Sequence, residues 1–208
     1  MSFQTTVRRQ YTTGFPGEIV RDGPTRGKPA RISSVSVDID PGLSTNRISR
    51  AFGWSADIPA TGSTVSAMES QVDVGAPNFF GILGHPKHYA LTGTVNGGPL
   101  DASIDLPQYA LGEFFDMATG MVVEMFNDTD ATKTVNFGDQ VAYVSNAITA
   151  LENPLALPYG ALISVAAGDS IPAGFVGIPN ARVINPESLA ASALGALVSG
   201  SNIIQLTQ

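Results

Sequence analysis

The stretch ARISSVSVDI, residues 30–39, indicates the fold class of this 208-residue chain. Val35, Val37 and Ile39 recur at every second position among Ser and Asp, and a period of two places alternate side chains on one face of a β-sheet. We therefore predict a half-buried strand from Ala30 to Ile39.

Short apolar runs continue to the end of the chain, and Gly, Pro and Asn separate nearly all of them, as in the segment 136–139 (NFGD). Several short strands with frequent turn signals favour a sandwich or barrel over a parallel α/β sheet. The fold class that we predict is mainly β, an antiparallel β-barrel or sandwich with one or two short helices and an extended N-terminal arm. The runs predicted as further strands are 50–54, 79–83, 88–94, 121–126, 140–145, 161–165, 175–178 and 203–207.

Two segments carry helix signals. Residues 108–118 (QYALGEFFDMA) follow a proline, and Leu111, Phe114 and Phe115 have a spacing that shares one helix face. Residues 185–200 begin with Asn-Pro-Glu, in which Asn is a good N-cap, Pro suits the first helical position and Glu favours the positive end of the helix. We predict a helix in each segment.

The N-terminal segment has too many turn residues for regular structure. Residues 12–29 (TTGFPGEIVRDGPTRGKP) contain seven Gly and Pro residues, spaced too closely for a helix and poorly for a central strand. We predict an extended arm over residues 1–29 and a β-rich body over residues 30–208. Fully extended, thirty residues span about 100 Å, enough to cross a neighbouring subunit. Phe15, Ile19 and Val20 are apolar anchors within the arm.

Charge is divided unevenly along the chain. Residues 1–50 hold eight of the eleven basic residues and four acidic residues, a net charge of +4, whereas the remainder holds three basic and fourteen acidic residues, a net charge of −11. This asymmetry indicates a partner that is guided by electrostatics, although a solvated surface with segregated charges is the alternative. An acidic body argues against nucleic-acid binding, which depends on Lys and Arg contacts to phosphate.

Composition also bears on compartment and domain count. The length fits one domain able to bury a sizeable core, and the chain has no cysteine, so it has no disulfide framework and no thiol chemistry. Its first residues lack the apolar run of a secretory signal, and its longest charge-free stretch, 188–208, is interrupted by Ser, Asn, Gln and Gly. We predict no export by that route and no membrane span.

Three patterns are candidates for chemistry. His85 and His88 have a spacing that on a helix presents both to one metal, but Pro86 argues against a helix and for ordinary polar histidines. Residues 127–130 (NDTD) resemble the start of a calcium loop without its Gly and Glu, so a polar hairpin turn is the better interpretation. Glu113 and Asp116 have the spacing of a carboxylate pair, as in glycosidases, or of a solvated helix face, which we favour.

The usual catalytic motifs are missing from the sequence. It contains no G-x-S-x-G, P-loop, G-x-G-x-x-G or H-E-x-x-H motif. For the single aromatics Trp54 and Tyr89 we predict core packing. We predict no catalytic residues, no cofactor and no metal.

Several segments together resemble one family, the structural cement proteins of tailed phages. The most specific pieces are F-P-G-E at residues 15–18, the block leading into H-P-K-x-Y-A-L at 85–91, and N-G-G-P-L after it. The chain departs from the pattern by an Ala/Leu-rich segment, residues 185–201, where a shorter turn is expected. The segments that carry the resemblance, which cover most of the chain, are 3–26, 79–107, 136–151, 171–184 and 201–208.

The resemblance implies a non-enzymatic, β-rich decoration protein on the outer surface of an icosahedral head, assembled in the host cytoplasm. It implies binding to the major capsid protein and to neighbouring copies of itself, as a homo-oligomer such as a trimer, with neither nucleic acid nor membrane as partner. The alternatives are a carbohydrate-binding or host-adhesion module and a hydrolase that uses Glu113 or Asp116. We expect the arm to supply the interface, through Arg8, Arg9, Phe15, Ile19, Val20, Arg21 and Arg26.

Overall fold

A computed structural model of the chain describes residues 14–33, 46–54, 71–84, 106 and 108–207. These residues form nine β-strands and no helix, so the predicted mainly β fold is confirmed. The strands are β1 (Arg26–Ile32), β2 (Ala51–Trp54), β3 (Gln71–Val74), β4 (Phe79–Leu83), β5 (Leu111–Phe126), β6 (Gln140–Val144), β7 (Leu162–Val165), β8 (Phe175–Asn185) and β9 (Ser199–Leu206).

The strand pairings close into two rings that share β5. The first ring runs β1–β3–β2–β4–β5 and returns to β1, and the second runs β5–β7–β6–β8–β9 and returns to β5. Neighbours are antiparallel except for β1 with β3 and β5 with β7, which are parallel. Because every strand has a partner on both sides, the described sheet leaves no whole strand as a free edge.

The 16-residue strand β5 replaces the first predicted helix, so that prediction was wrong. From Leu111 to Gly120 the side chains alternate strictly between the outside and the buried side, which is the period of a strand. The buried positions include Gly112, Asp116 and Ala118, and such small or charged residues conceal the apolar alternation in the sequence. The apparent helical spacing of apolar residues on this segment therefore reflects two faces of a strand.

The second predicted helix is also wrong, since β8 extends to Asn185 and residues 186–198 form turns and isolated bridges. Leu189 is buried and exchanges two backbone hydrogen bonds of 2.9 Å with Lys133. The N–H of Glu187 donates to Oδ1 of Asn202 at 2.6 Å. These contacts fix an irregular segment, and the Asn-Pro pair that reads as a helix start instead ends a strand, because a residue before proline prefers extended backbone.

Each ring has its own buried cluster, and a third cluster joins them. In the first ring the aromatic rings of Phe52 and Phe80 lie 5.0 and 5.7 Å from that of Phe114. The largest cluster follows β5 into the second ring and includes Tyr143, whose hydroxyl donates to the carbonyl oxygen of Ala76 at 2.7 Å. The side chain of Tyr143 therefore ties the second ring to the loop after β3.

The other sequence predictions fare unevenly. Strands predicted at 50–54, 79–83, 140–145 and 161–165 are confirmed with ends shifted by no more than one residue. Those predicted at 121–126, 175–178 and 203–207 correspond to parts of the longer strands β5, β8 and β9, whereas β3 was missed. The strand predicted at 30–39 is confirmed for its first three residues, but it ends before Ser33. Residues 34–39 and the strand predicted at 88–94 lie outside the described residues. Over the part of the chain that the structure describes, no helix is long and apolar enough to cross a membrane.

Candidate functional site

The F-P-G-E segment, residues 15–18, forms a tight turn whose sequence explains its geometry. The N–H of Glu18 donates to the carbonyl oxygen of Phe15 at 3.1 Å, and Gly17 has φ +89°. A type II turn requires a positive φ at its third position, which glycine supplies, and it commonly has proline at its second position. The carboxylate of Glu18 also accepts the N–H of Phe15 at 3.0 Å, so the turn is closed twice.

The turn is attached to β5 of its own chain. The N–H of Gly17 donates to the carbonyl oxygen of Val122 at 2.8 Å, and the N–H of Val122 donates to that of Glu18 at 2.8 Å. One step further along, the N–H of Val20 donates to the carbonyl oxygen of Gly120 at 2.9 Å. The arm therefore occupies the stretch of β5 between the pairings with β1 and with β7.

The attached turn presents apolar side chains to solvent. Phe15 is 59% exposed and Val20 is 40% exposed, whereas Ile19, which bridges to Met121, packs against the largest buried cluster. Arg21, which follows Val20, is exposed and lies against Gly120. The result is a firm, partly apolar tip with a cation beside it.

A buried carboxylate anchors the beginning of β1. Asp116 is 1% exposed, and Arg26 grips it through both carboxylate oxygens, with Nε to Oδ1 at 2.8 Å and Nη2 to Oδ2 at 2.7 Å. Nζ of Lys28 lies 2.6 Å from Oδ2 and 4.4 Å from the ring centroid of Phe80. This bidentate, charge-assisted arrangement ties the start of β1, where the arm joins the first ring, to β5.

The electrostatics of Asp116 follow from these contacts. Burial raises the pKa of Asp116, but hydrogen bonds and charge from Arg26 and Lys28 outweigh it, so the pKa lies below its ordinary value. The hydrogen bond to Asp116 in turn raises the pKa of Arg26. Asp116 is therefore an anion at neutral pH and is already committed to two cations.

The seven residues predicted for the interface occupy different environments. Phe15, Val20 and Arg21 are exposed, whereas Ile19 holds the arm against the core and Arg26 is engaged with Asp116 while remaining 49% exposed. Arg8 and Arg9 lie outside the described residues, and the interface role of all seven stays a prediction. The division into arm and body also stays a prediction; β1 begins at Arg26, within the segment assigned to the arm.

The candidates for chemistry resolve into structural contacts where they are described. Glu113 is exposed while Asp116 is buried, so the two carboxylates lie on opposite faces of β5 and do not form a pair. Within the 127–130 segment the buried amide of Asn127 donates to Ala131 and Ala190 carbonyls at 2.7 and 2.6 Å, and Asp128 forms an ion pair with Lys133. No group of three metal-binding side chains occurs among the described residues.

Of the remaining aromatic and histidine predictions, one is wrong and the others fall outside the described residues. Core packing for Trp54 was wrong, because its side chain is 48% exposed and contacts the buried Phe80 edge-on, with 4.8 Å between ring centroids. His85, His88 and Tyr89 lie outside the described residues. The sequence analysis missed the role of Lys28. Its contact with the buried Asp116 can be recognised only once the pairing of β1 with β5 is known.

The chain matches one family of known proteins over nearly its whole length. The sequence model of a family described as structural cement protein (E217 gp24/Pam3 gp6) matches residues 3–206, which confirms the resemblance found in the sequence. Among curated protein sequences, none matches the chain. A solved structure, from the capsid of Myoviridae phage XM1, aligns with 100% of this chain and 99% of its own at 12% identity and a TM-score of 0.49.

Proposed function

This chain belongs to the family of phage structural cement proteins, and we propose that it binds the outer surface of a phage head and stabilises contacts between major capsid protein subunits. The observation that carries the proposal is Phe15, an aromatic side chain 59% exposed on a turn that is hydrogen-bonded to β5. A turn held in this way loses little conformational entropy on binding. A preorganised apolar tip of this kind suits an interface anchor.

The apolar tip supplies a modest affinity that repetition enlarges. Covering the exposed part of a phenylalanine contributes about 1–2 kcal/mol, and Val20 adds a smaller amount. Such a contact is weak alone, but copies that are linked to each other or that span several capsid subunits bind with a higher effective concentration. If the protein binds the assembled head but not the separate capsid subunits, its binding stabilises the assembled head by mass action.

Positive charge beside the tip orients the approach. Arg21 is exposed beside the tip, and Arg8 and Arg9 precede the tip in sequence, whereas the guanidinium of Arg26 is already paired with Asp116. Exposed charges act over about 8–10 Å in physiological salt and contribute little to the final affinity. We therefore assign steering to Arg8, Arg9 and Arg21 and the stable contact to Phe15 and Val20.

A non-enzymatic role is consistent with the chemistry of the described carboxylates. A glycosidase needs one carboxylic acid with a raised pKa opposite a second carboxylate. Asp116 instead has a lowered pKa and is enclosed by Arg26 and Lys28, and Glu113 faces away from it. The hydrolase alternative therefore has no acid to use at this position.

A matched pair of phenylalanines tests the docking role of the arm. Phe137, 75% exposed, also lies on a hydrogen-bonded turn, in which Oδ2 of Asp139 accepts the N–H of Asn136 at 2.8 Å. We expect Phe15→Ala to reduce binding to heads that lack the protein about tenfold, and Phe137→Ala to leave it unchanged, in co-sedimentation with purified heads.

The outcomes separate the rival functions. Equal binding by both variants and the wild type would show that the arm tip is not the dock. Specific signals on a glycan array, with no co-sedimentation, would favour the carbohydrate-binding or host-adhesion alternative. Point variants are preferable to deleting residues 1–28, because that deletion also removes Arg26 and Lys28 from β1.

A further inference from the structure

The interior of the first ring opens to solvent beside the start of β1. Along β1 the inward side chains change from 0% exposed at Ile32 to 35% at Lys28 and 49% at Arg26. Along β2 the same change occurs between Phe52, which is fully buried, and Trp54, which is 48% exposed. Inward side chains that become exposed in this way line the mouth of the ring, and the mouths of closed strand rings are positions where ligands bind.

Phe80 joins the two strands at this mouth. Its ring lies edge-on to the ring of Trp54, with 4.8 Å between the centroids, and Nζ of Lys28 lies 4.4 Å from its centroid. The exposed part of the Trp54 indole is therefore an apolar platform, and a cation lies one phenylalanine ring away from it. A platform of this kind suits a flat ring compound, such as a sugar that presents the C–H groups of one face.

The cations at the mouth keep hydrogen-bond donors beyond those that Asp116 uses. The carboxylate of Asp116 takes two of the five N–H groups of Arg26 and one of the three of Lys28. The two cations and this one carboxylate together carry a charge of +1. A second carboxylate can therefore bind donors that are already positioned, without displacing Asp116.

We propose that this mouth binds a saccharide that carries a carboxylate, with the sugar ring against Trp54 and the sugar's carboxylate at Lys28 and Arg26. This function is separate from the proposed attachment to a phage head. It would give the protein a contact with acidic glycans in addition to its contact with the capsid.

A peptide and a polynucleotide fit the mouth less well than an acidic sugar does. Extended peptides commonly bind by adding a strand to a free sheet edge, and the described sheet leaves no whole strand as a free edge. The affinity of a polynucleotide depends on many phosphate contacts, whereas Asp116 already balances one of the two cations here. One stacking surface beside one anion-binding position matches a single acidic sugar unit.

Calorimetry with matched ligands tests the proposal on the full-length protein. The ligands are oligosaccharides of galacturonate, glucuronate and sialate, each compared with its own methyl ester, which keeps the sugar ring and removes the charge. We expect at least one acid to bind about tenfold more tightly than its ester. Binding should also shift the fluorescence of Trp54, the single tryptophan of the chain.

Two substitutions separate the platform from the charge. Trp54→Ala should weaken the binding of acid and ester alike by about tenfold, because it removes the stacking surface. Lys28→Gln should abolish the preference for the acid and leave the ester bound, because the charge at the mouth falls to zero. The controls are Phe137→Ala, at another exposed aromatic, and Lys133→Gln, at a cation paired with Asp128; both should bind like the wild type. Circular dichroism establishes that each variant is folded.

Four results would overturn the proposal: no binding by any of the acids, equal binding of each acid and its ester, a preference for the acid that persists in Lys28→Gln, or unchanged binding by Trp54→Ala. Tighter binding of a mononucleotide than of any acid would also overturn it, and so would equal competition by acetate, which would leave a bare anion site.

Head binding is measured separately by co-sedimentation, so the two functions fail independently. Trp54→Ala should co-sediment with heads like the wild type, and a loss of head binding in this variant would make the mouth a capsid contact instead. If no saccharide binds while Phe15→Ala still weakens head binding, the docking role of the arm stands and the glycan site is refuted.

Discussion

Replacing Asp116 by asparagine should destabilise the first ring. The substitution removes the charge that Arg26 and Lys28 share through three contacts of 2.6 to 2.8 Å. Breaking a buried ion pair costs about 3–5 kcal/mol. The two cations are 49% and 35% exposed and can regain water, so we expect a lower figure for Asp116→Asn, about 2–3 kcal/mol. For a chain of this length that corresponds to a fall in Tm of about 5–10 °C.

The effect should depend on pH in a defined direction. The pKa of Asp116 is lowered by folding, so its contribution is fully present above its ordinary pKa of 3.8 and is lost as the pH falls through and below that value. The difference in unfolding free energy between wild type and variant should therefore be constant above about pH 5 and shrink in acid. Other carboxylates titrate in both proteins and cancel in the difference.

Urea unfolding followed by the fluorescence of Trp54, the single tryptophan, measures both quantities. Glu113→Gln is the matched control, since it removes an exposed carboxylate three residues away on the same strand and should change the unfolding free energy by less than about 0.5 kcal/mol. The reasoning fails if Asp116→Asn costs no more than the control at pH 7. It also fails if the difference persists unchanged at the lowest pH at which both proteins fold.

Two further predictions concern single hydrogen-bonded positions. Tyr143→Phe should cost about 1–2 kcal/mol in urea unfolding, because it leaves the buried carbonyl oxygen of Ala76 without its 2.7 Å partner. Burial raises the pKa of Tyr143, so stability should fall above about pH 10 in the wild type more than in the variant, and equal losses would contradict this. Gly17→Ala should strain the turn at φ +89° by about 1–2 kcal/mol. It should speed amide exchange at Val122 and weaken head binding, and unchanged exchange would refute the attachment.

Strand β5 shows where the sequence is a sufficient guide to the fold and where it is not. Apolar alternation and turn residues predict most of the other strands, because each exposes one face and buries the other. In β5 the buried face contains Gly112 and Asp116, which an apolar pattern does not register. The partners that make a buried aspartate tolerable lie some 90 positions earlier, on β1. Pairing over that distance is set by the whole fold and not by local sequence.

The arm shows the same division at the candidate site. The F-P-G-E motif and the exposed Phe15 follow from local turn chemistry, so the sequence identifies them. The sequence also suggests a free extended segment, whereas the described part returns to β5 through bonds at Gly17, Glu18 and Val20. That return needs a vacant stretch of β5 between β1 and β7, which exists only because two rings diverge from one strand.

The shared strand gives the proposed dock a mechanical basis. In the proposed dock, a pull on Phe15 would pass through the three backbone hydrogen bonds that attach the arm to β5 at Gly120 and Val122. These two residues lie between the pairings of β5 with β1 and with β7, and from there the load reaches both rings at once. A dock on an isolated loop would yield by local unfolding, whereas this one yields only by peeling the arm from β5. In the proposed dock, the grip on the capsid would therefore be limited by the contact of Phe15 before it is limited by the fold.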